Sequence, residues 1–352
     1  MNEVTDALIS FSNHCNLDCH YCFVSKERLQ RLSWKKVESF LVWFLNQPAP
    51  FKRIGIAGGE PLLEIGLIKK TFSFLKKNKI YDFRKITMSD IVTNGTILNA
   101  EIIDFLKKEK TGLNFSLDGD RQSNRNRIFK NGKGCYDAVW KNMAKYRDEI
   151  SRDPIISITI APNNADKFFS NIKFLFDNGF YRIKFSPTVA SDRWPDCDVD
   201  IFINEFKKVI KYYRLLKKTK KDASLYFLDE LSKKMKDQGF FNCSLGRQVV
   251  LSYDGHIYAC PLVQSFDRES KELVKIGSLP GTIGLKKLES LRSCDCLKNS
   301  RFKNSYNHPY IRDIGRMQCL LFEKHGVLAD DRHVKSTAKL FLQINKEINQ
   351  AF

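Results

Sequence analysis

Three cysteines in the run HCNLDCHYCF, Cys15, Cys19 and Cys22, have the residue type and the spacing to hold a metal centre. The pattern is C-x3-C-x2-C, one thiolate short of a complete four-cysteine site. Thiolates are the ligands of iron–sulfur clusters. Three of them on a [4Fe–4S] cube leave one iron open to another ligand. Zinc is the alternative, because a structural zinc takes four ligands and His14 or His20 could supply the fourth. A cysteine pattern is decided by its context.

That context lies at the ends of the strands that follow. Gly58-Gly59-Glu60-Pro61 closes the segment IGIAGGEPLL. Glycine lets backbone approach a ligand closely, and Glu60 can accept a hydrogen bond from an ammonium. Alone it is an ordinary strand-to-helix turn. Thr93-Asn94-Gly95 ends a third strand and Ser116-Leu117-Asp118-Gly119 a fourth. Ser116 and Asp118 fall on one face by period-two alternation. Arg127, in RQSNRNRIFK, carries a planar guanidinium suited to a carboxylate, with Arg125 as its alternative. Ile160, ending a fifth strand, suits either an aromatic ligand or the core.

Cysteine triplet and GGEP segment together resemble the radical S-adenosylmethionine (SAM) superfamily, over roughly residues 5–190. The resemblance implies a [4Fe–4S] cluster on Cys15, Cys19 and Cys22, with SAM chelating the open iron through its amino and carboxylate groups. It further implies reductive cleavage of SAM to methionine and a 5′-deoxyadenosyl radical that abstracts hydrogen. By the same resemblance Gly58, Gly59, Glu60 and Pro61 bind the amino group of SAM's methionine moiety. Tyr21 and Ile160 pack on adenine, Asn94, Ser116 and Asp118 lie near the ribose and carboxylate, and Arg127 faces the carboxylate. Such a cofactor carries the hard chemistry while the protein orients and shields it.

To position these residues the chain alternates strand and helix patterns. The strands are expected in DALISF, KRIGIAG, KITMSDIVTN, GLNFSLDG, IISITIAP and YRIKFSPT. Between them, apolar periodicity predicts helices over Trp34–Asn46, Ile65–Lys77, Ala100–Lys108, Tyr136–Glu149 and Lys167–Asn178. Six such units predict an α/β fold with a parallel sheet wrapped by helices. The count agrees with the partial (β/α)6 barrel that the resemblance implies, whose site lies at the C-terminal strand ends. The expected organisation is a barrel over 1–200, a helical connector over 201–240, a small metal-bound domain over 241–326 and a terminal helix over 327–352.

The third part of that division rests on its cysteines. Cys243, Gly255 and Cys260 form C-x11-G-x4-C, across a hairpin with Asp254-Gly255 at its turn. This resembles the opening of the SPASM auxiliary-cluster module. Only Cys294, Cys296 and Cys319 follow, too few thiolates for two further cubes, which resembles a shortened, twitch-like version. The resemblance implies one auxiliary [4Fe–4S] cluster on Cys243, Cys260, Cys296 and Cys319, with Cys294 as the alternative to Cys296. A structural zinc could use four of the same thiolates.

The segment SLDGDRQSNRNRIFKNGKG also resembles anaerobic sulfatase maturases and maturases of ribosomally made peptides. That resemblance implies an enzyme modifying a residue of a precursor peptide or protein, with flavodoxin or ferredoxin as reductant. No leader-binding domain is read ahead of the barrel, so a precursor peptide would be recognised by the barrel, the C-terminal domain or a separate leader-binding protein. Sulfatase maturases carry a basic aspartate directly after the second SPASM cysteine, where this chain has Pro261, which disfavours formylglycine formation. The expected outcome is a crosslink or another oxidation. An alternative is peptide epimerisation with Cys197, in SDRWPDCDVD, as hydrogen-atom donor. Flanking Asp196 and Asp198 would keep that thiol protonated. Further alternatives are a radical SAM enzyme acting on RNA or a small molecule, and a non-catalytic zinc protein binding nucleic acid.

The 352 residues carry a net charge of +19 and ten cysteines. The lysines are scattered over helical segments as solvated faces would be, which disfavours nucleic acid. No signal peptide and no apolar run of about 18 residues is read, so no membrane partner is expected. Cysteines without a secretion signal predict metal ligation in a reducing cytoplasm.

Overall fold

The computed structural model describes residues 4–26, 28–77, 86–150, 153–188, 194–226, 228–229, 248–260, 263–264, 268–279, 281, 283–292, 340, 343–344 and 346–347. In chain order the elements are β1 (Asp6–Ser10), α1 (Trp34–Leu45), β2 (Lys52–Ala57), α2 (Ile65–Lys77), β3 (Ile86–Met88) and β4 (Ile91–Thr93). Then come α3 (Ala100–Glu109), β5 (Leu113–Ser116), α4 (Tyr136–Tyr146), β6 (Ile155–Ile160), α5 (Phe168–Asp177), β7 (Arg182–Pro187) and α6 (Asp196–Thr219). They end with β8 (Ser224–Leu225), β9 (Gln248–Leu251), β10 (His256–Tyr258), α7 (Arg268–Val274), β11 (Lys275–Ser278) and α8 (Leu285–Arg292).

These elements form two compact units. One comprises Met1–Phe115, Ile128–Pro154 and Ser244–Cys294; the other comprises Ser116–Arg127, Ile155–Cys243 and Asp295–Phe352. In the first unit a six-stranded sheet runs β11-β10-β9-β1-β2-β3. β1 sits inside it, parallel to β2 through Asp6↔Arg53 to Ser10↔Ala57 and parallel to β9 through Asp6↔Gln248 to Ile9↔Leu251. Its Ala7 and Ile9, with Ile54 and Ile56 of β2, are almost wholly buried, as strands of a helix-covered parallel sheet must be. α1 buries Val37, Phe40, Leu41 and Phe44, spaced at three and four residues along one stripe.

β3 and β4 divide the expected strand KITMSDIVTN. β3 pairs with β2, β4 pairs in parallel with β5, and the chain changes partner at Ser89-Asp90. Ser89 N still donates to Ile54 O, whereas Ile91 N donates to Gly112 O. The polar pair Ser89-Asp90, a turn-forming dipeptide inside the run, is the mark of the break in the sequence.

In the second unit β6, β7 and β8 pair in parallel. Ile156, Ile158 and Ile160 alternate into its core. The Phe168 ring of α5 stacks on Phe202 and Phe206 of α6, at centroid distances of 5.3 and 6.4 Å. Trp194 closes this cluster and donates from Nε1 to Thr188 O at 2.7 Å, so it is a core residue and not part of an exposed groove.

Most helices lie where periodicity puts them, and α2 coincides end to end. α6 begins at Asp196, ahead of the apolar stretch expected from Ile201, so Cys197 lies in a helical first turn and not in a loop. The hairpin forms as β9 and β10 with Asp254-Gly255 in its turn, where Gly255 takes φ 84°. Cys243, Cys294, Cys296, Pro261 and Cys319 lie outside the described residues, as does most of the expected terminal helix. Among the described residues no helix is long and apolar enough to cross a membrane.

Candidate functional site

The cysteine triplet occupies a closed loop after β1. Leu32 N donates to Phe11 O at 2.8 Å, and Ser12 bridges Arg31, so the two ends of the loop are zipped together. Asn13 then clamps the interior. Its Nδ2 donates to the carbonyls of Ser25 and Arg28, and its Oδ1 accepts from Gln30 N at 2.8 Å. Sequence reasoning passed over Asn13, because its partners fall at irregular spacings within a loop. Inside the clamp, Cys22 N donates to Cys19 O at 3.1 Å, and Asp18 N reaches Ile128 O at 2.7 Å. Cys15 and Cys19 are half-buried, Cys22 is exposed, and none of the three is in a disulfide. Tyr21 between them is buried.

The GGEP turn is pressed against this loop. Gly59 N donates to Ser12 O at 2.9 Å and Glu60 N to His14 O at 2.7 Å. A Cβ built on Gly58 would lie 2.5 Å from Ser12 O, and one on Gly59 2.1 Å from His14 O. Gly58 also takes φ 136°, a conformation open to glycine alone. The glycines therefore serve an approach of backbone to backbone, and the second strand end holds the cysteine loop in place. Pro61 opens a short 3-10 helix, Pro61–Glu64, whose Glu64 pairs with Arg31 at 2.6 Å.

Glu60 is buried beneath that turn. Its Oε1 accepts from Leu62 N at 3.0 Å and the Thr93 hydroxyl at 2.8 Å, and its Oε2 accepts from Asn94 N at 2.7 Å. Burial pushes its carboxyl up to about 7 from 4.5, against the lowering effect of these donors. Glu60 thus ties the β2 turn to the end of β4.

From there Asn94 reaches the cysteine loop. Its Nδ2 lies 2.8 Å from Asn16 Oδ1 and 3.7 Å from Cys15 Sγ. Leu17 N also donates to Cys15 Sγ, at 3.4 Å. Burial raises the Cys15 thiol above its ordinary value, opposed by the Leu17 and Asn94 donors.

Ser116, Asp118, Arg125, Arg127, Ile160 and Cys197 lie in the second unit, Cys135 and Cys260 in the first. Asp118 is fully buried at the fourth strand end. Its Oδ1 accepts from Arg127 Nη2 and Thr159 N, both at 2.9 Å, while its own N donates to Asn124 Oδ1 at 3.1 Å. Arg127 Nη2 also reaches the Thr159 hydroxyl at 3.3 Å. Arg125 instead donates to Asn163 O. Ser116 is half-buried and Ile160 buried at the end of β6. Cys197 is exposed, its Sγ 3.8 Å from Asp198 Oδ1. Cys260 is buried after β10, whereas Cys135 is buried at the start of α4.

Residues 9–175 match the model of the Radical SAM superfamily. The cysteine-type anaerobic sulfatase-maturating enzyme of Clostridium novyi is 25% identical over 283 residues, 71% of this chain and 71% of that protein. Native anSMEcpe with bound AdoMet and Kp18Cys peptide superposes with a TM-score of 0.73 at 17% identity, over 99% of both chains. SuiB of Streptococcus suis, bound to precursor peptide SuiA, superposes with a TM-score of 0.59 at 14% identity, over 92% of this chain and 74% of that one. At these identities the solved structures speak to the fold alone, α/β with parallel strands.

Proposed function

We propose, on the premise that this chain is a radical SAM enzyme whose radical SAM domain spans residues 9–175, that it modifies a residue within a peptide or protein. The observation that carries the radical SAM reading is the packing of the GGEP turn onto the cysteine loop through Gly59 N and Glu60 N. The donor set fits the cofactor pair of that superfamily. Three cysteines outside any disulfide stand on one clamped loop, none of them fully buried. Among the described residues no three His, Cys, Asp or Glu side chains are gathered about a point for a single ion. A cubane makes no such demand, since each thiolate binds its own iron.

When bound, the cluster supplies the electron that cleaves SAM, and SAM supplies the species that takes a hydrogen atom from the substrate. The protein's part is to orient and exclude. Cys15, Cys19 and Cys22 would hold the cluster. Asn13 and Glu60 fix the loop and the adjoining strand ends, so that the ligands are preorganised. In the second unit the Asp118–Arg127 ion pair holds the Arg127 guanidinium in place, the group the resemblance assigns to a carboxylate.

The peptide part of the reading is supported by the maturase relative and by peptides bound in neighbours of the same fold. Within it we favour a crosslink or other oxidation; Cys243, Cys260, Cys319 and Cys296 or Cys294 would hold one auxiliary [4Fe–4S] cluster, which would supply a sink for the second electron. Exposed Cys197 supports a second reading, epimerisation, in which its S–H returns a hydrogen atom to the substrate carbon.

Anaerobic reconstitution with iron and sulfide, then reduction in the presence of SAM, tests the first step. The expected product is 5′-deoxyadenosine, lost when Cys15, Cys19 and Cys22 are replaced by alanine. Zinc in place of iron, or no SAM cleavage by a reconstituted chain, would overturn the reading. Mass spectrometry of the treated peptide separates the outcomes: a loss of about 2 Da marks oxidation with two hydrogens removed, and an unchanged mass with dependence on Cys197 marks epimerisation.

A further inference from the structure

The side chain of Asn94 has a defined orientation. Its Oδ1 accepts from Thr96 N at 3.0 Å and from the Thr96 hydroxyl at 2.7 Å. Its Nδ2 faces Asn16 Oδ1 at 2.8 Å and Cys15 Sγ at 3.7 Å. Asn16 is itself oriented, since its Nδ2 donates to Thr96 Oγ1 at 2.8 Å. Turning the Asn94 amide over would set oxygen against oxygen at Asn16 and nitrogen against the Thr96 amide, so the network admits one arrangement. The backbone of Asn94 is anchored as well, by its N–H to Glu60 Oε2. The residue is 8% exposed, and its amide is spent on the cysteine loop.

A hydrogen bond to a cluster sulfur withdraws electron density from it and favours the more reduced, more negative state, one of the ways a protein sets a cluster's potential. Little water competes at a buried position, which strengthens the effect. We propose that Asn94 is a positioning residue of the cluster: through Nδ2 it donates to the Cys15 thiolate, fixes that ligand, and raises the cluster's reduction potential. Leu17 N is the second donor to the same sulfur. The inference rests on the reading of Cys15 as a cluster ligand. It assigns Asn94 to the cluster sulfur, where the family resemblance alone would place it by SAM's ribose and carboxylate.

The test is a redox titration followed by electron paramagnetic resonance, without SAM, on reconstituted wild-type and Asn94→Leu chains. Leucine keeps the branched outline of asparagine, with methyls in place of the amide oxygen and nitrogen, and has no donor. With iron content equal, the variant's reduced-to-oxidised ratio at a fixed potential is expected to fall about tenfold, which is about 59 mV for a one-electron couple. Equal iron and an unchanged midpoint would overturn the inference. Should the variant lose its cluster, the wild type labelled with side-chain amide-15N asparagine replaces it. An electron–nuclear double-resonance coupling from that nitrogen to the reduced cluster supports the donor, and its absence refutes it. A wild-type chain that takes up no cluster overturns the functional reading itself, which separates the two failures.

Discussion

At Glu60 a carboxylate with 1% exposure is held by two backbone amides and one hydroxyl, and burial still lifts its carboxyl from 4.5 to about 7. Between those two values the folded chain keeps a proton that the unfolded chain has released. Stability from this group is therefore greatest at the acid end and falls as pH rises across the window. Glu60→Gln removes that dependence and turns an amide NH2 toward one of the three donors, leaving one unsatisfied at a cost of about 1–3 kcal/mol. Urea denaturation at pH 5 and pH 8 checks this: the variant is weaker at pH 5, and its deficit shrinks toward zero by pH 8 as the wild type loses the contribution of this group. Gly59 gives a sharper test. Gly59→Ala sets its Cβ 2.1 Å from a backbone carbonyl that cannot swing aside, whereas Gly134→Ala meets nothing within 4 Å. Iron uptake should fall at least tenfold in the first and stay intact in the second, as read by iron analysis after reconstitution. Composition and motif announce a close approach at Gly58-Gly59, but not what approaches. A glycine pattern records the absent Cβ, and its partner is supplied by another part of the chain.

Among the elements, the segment from Ser116 to Arg127 is bound to β6 by a buried ion pair, Asp118 to Arg127, with Thr159 on both partners. Asp118→Ala leaves a guanidinium in the interior without its carboxylate, a loss of about 3–5 kcal/mol, measurable as a lowered urea midpoint. Period-two alternation placed Ser116 and Asp118 on a common face, yet the internal partner of Asp118 was not legible, because the arginine's turn brings it back nine residues later through an irregular segment. Helix α2 was legible end to end, since its apolar positions repeat every three and four residues up to the closing lysines. The start of α6 was missed although a signal stood there. Pro195 followed by Asp196 and Asp198 is a helix opening, with proline at its edge and acid in its first turn. The apolar periodicity begins only at Val199, and attention to hydropathy placed the boundary too late.

For the whole molecule, the proposed auxiliary cluster carries a stoichiometric consequence. Reconstituted protein should hold about eight irons, four per cubane, and replacing Cys243 and Cys260 by alanine should leave about four. About four in the unaltered chain would remove the auxiliary cluster from the proposal. The sequence announces the α/β alternation, but not that β9, from beyond α6, lies beside β1 and places Gln264 Nε2 2.6 Å from Ser10 Oγ. Parallel pairing between distant segments leaves no periodic trace in either. The order of synthesis gives that pairing a further meaning. The strand leading into the cysteine loop is made well before Gln248–Leu251, the strand that pairs along one of its edges. Until the ribosome has delivered those residues, an apolar strand edge is open to strangers, and pairing so distant in sequence is slow to form. A chain released after residue 240 should therefore scatter light as aggregate, and metal loading in the cell should wait on translation through Leu251.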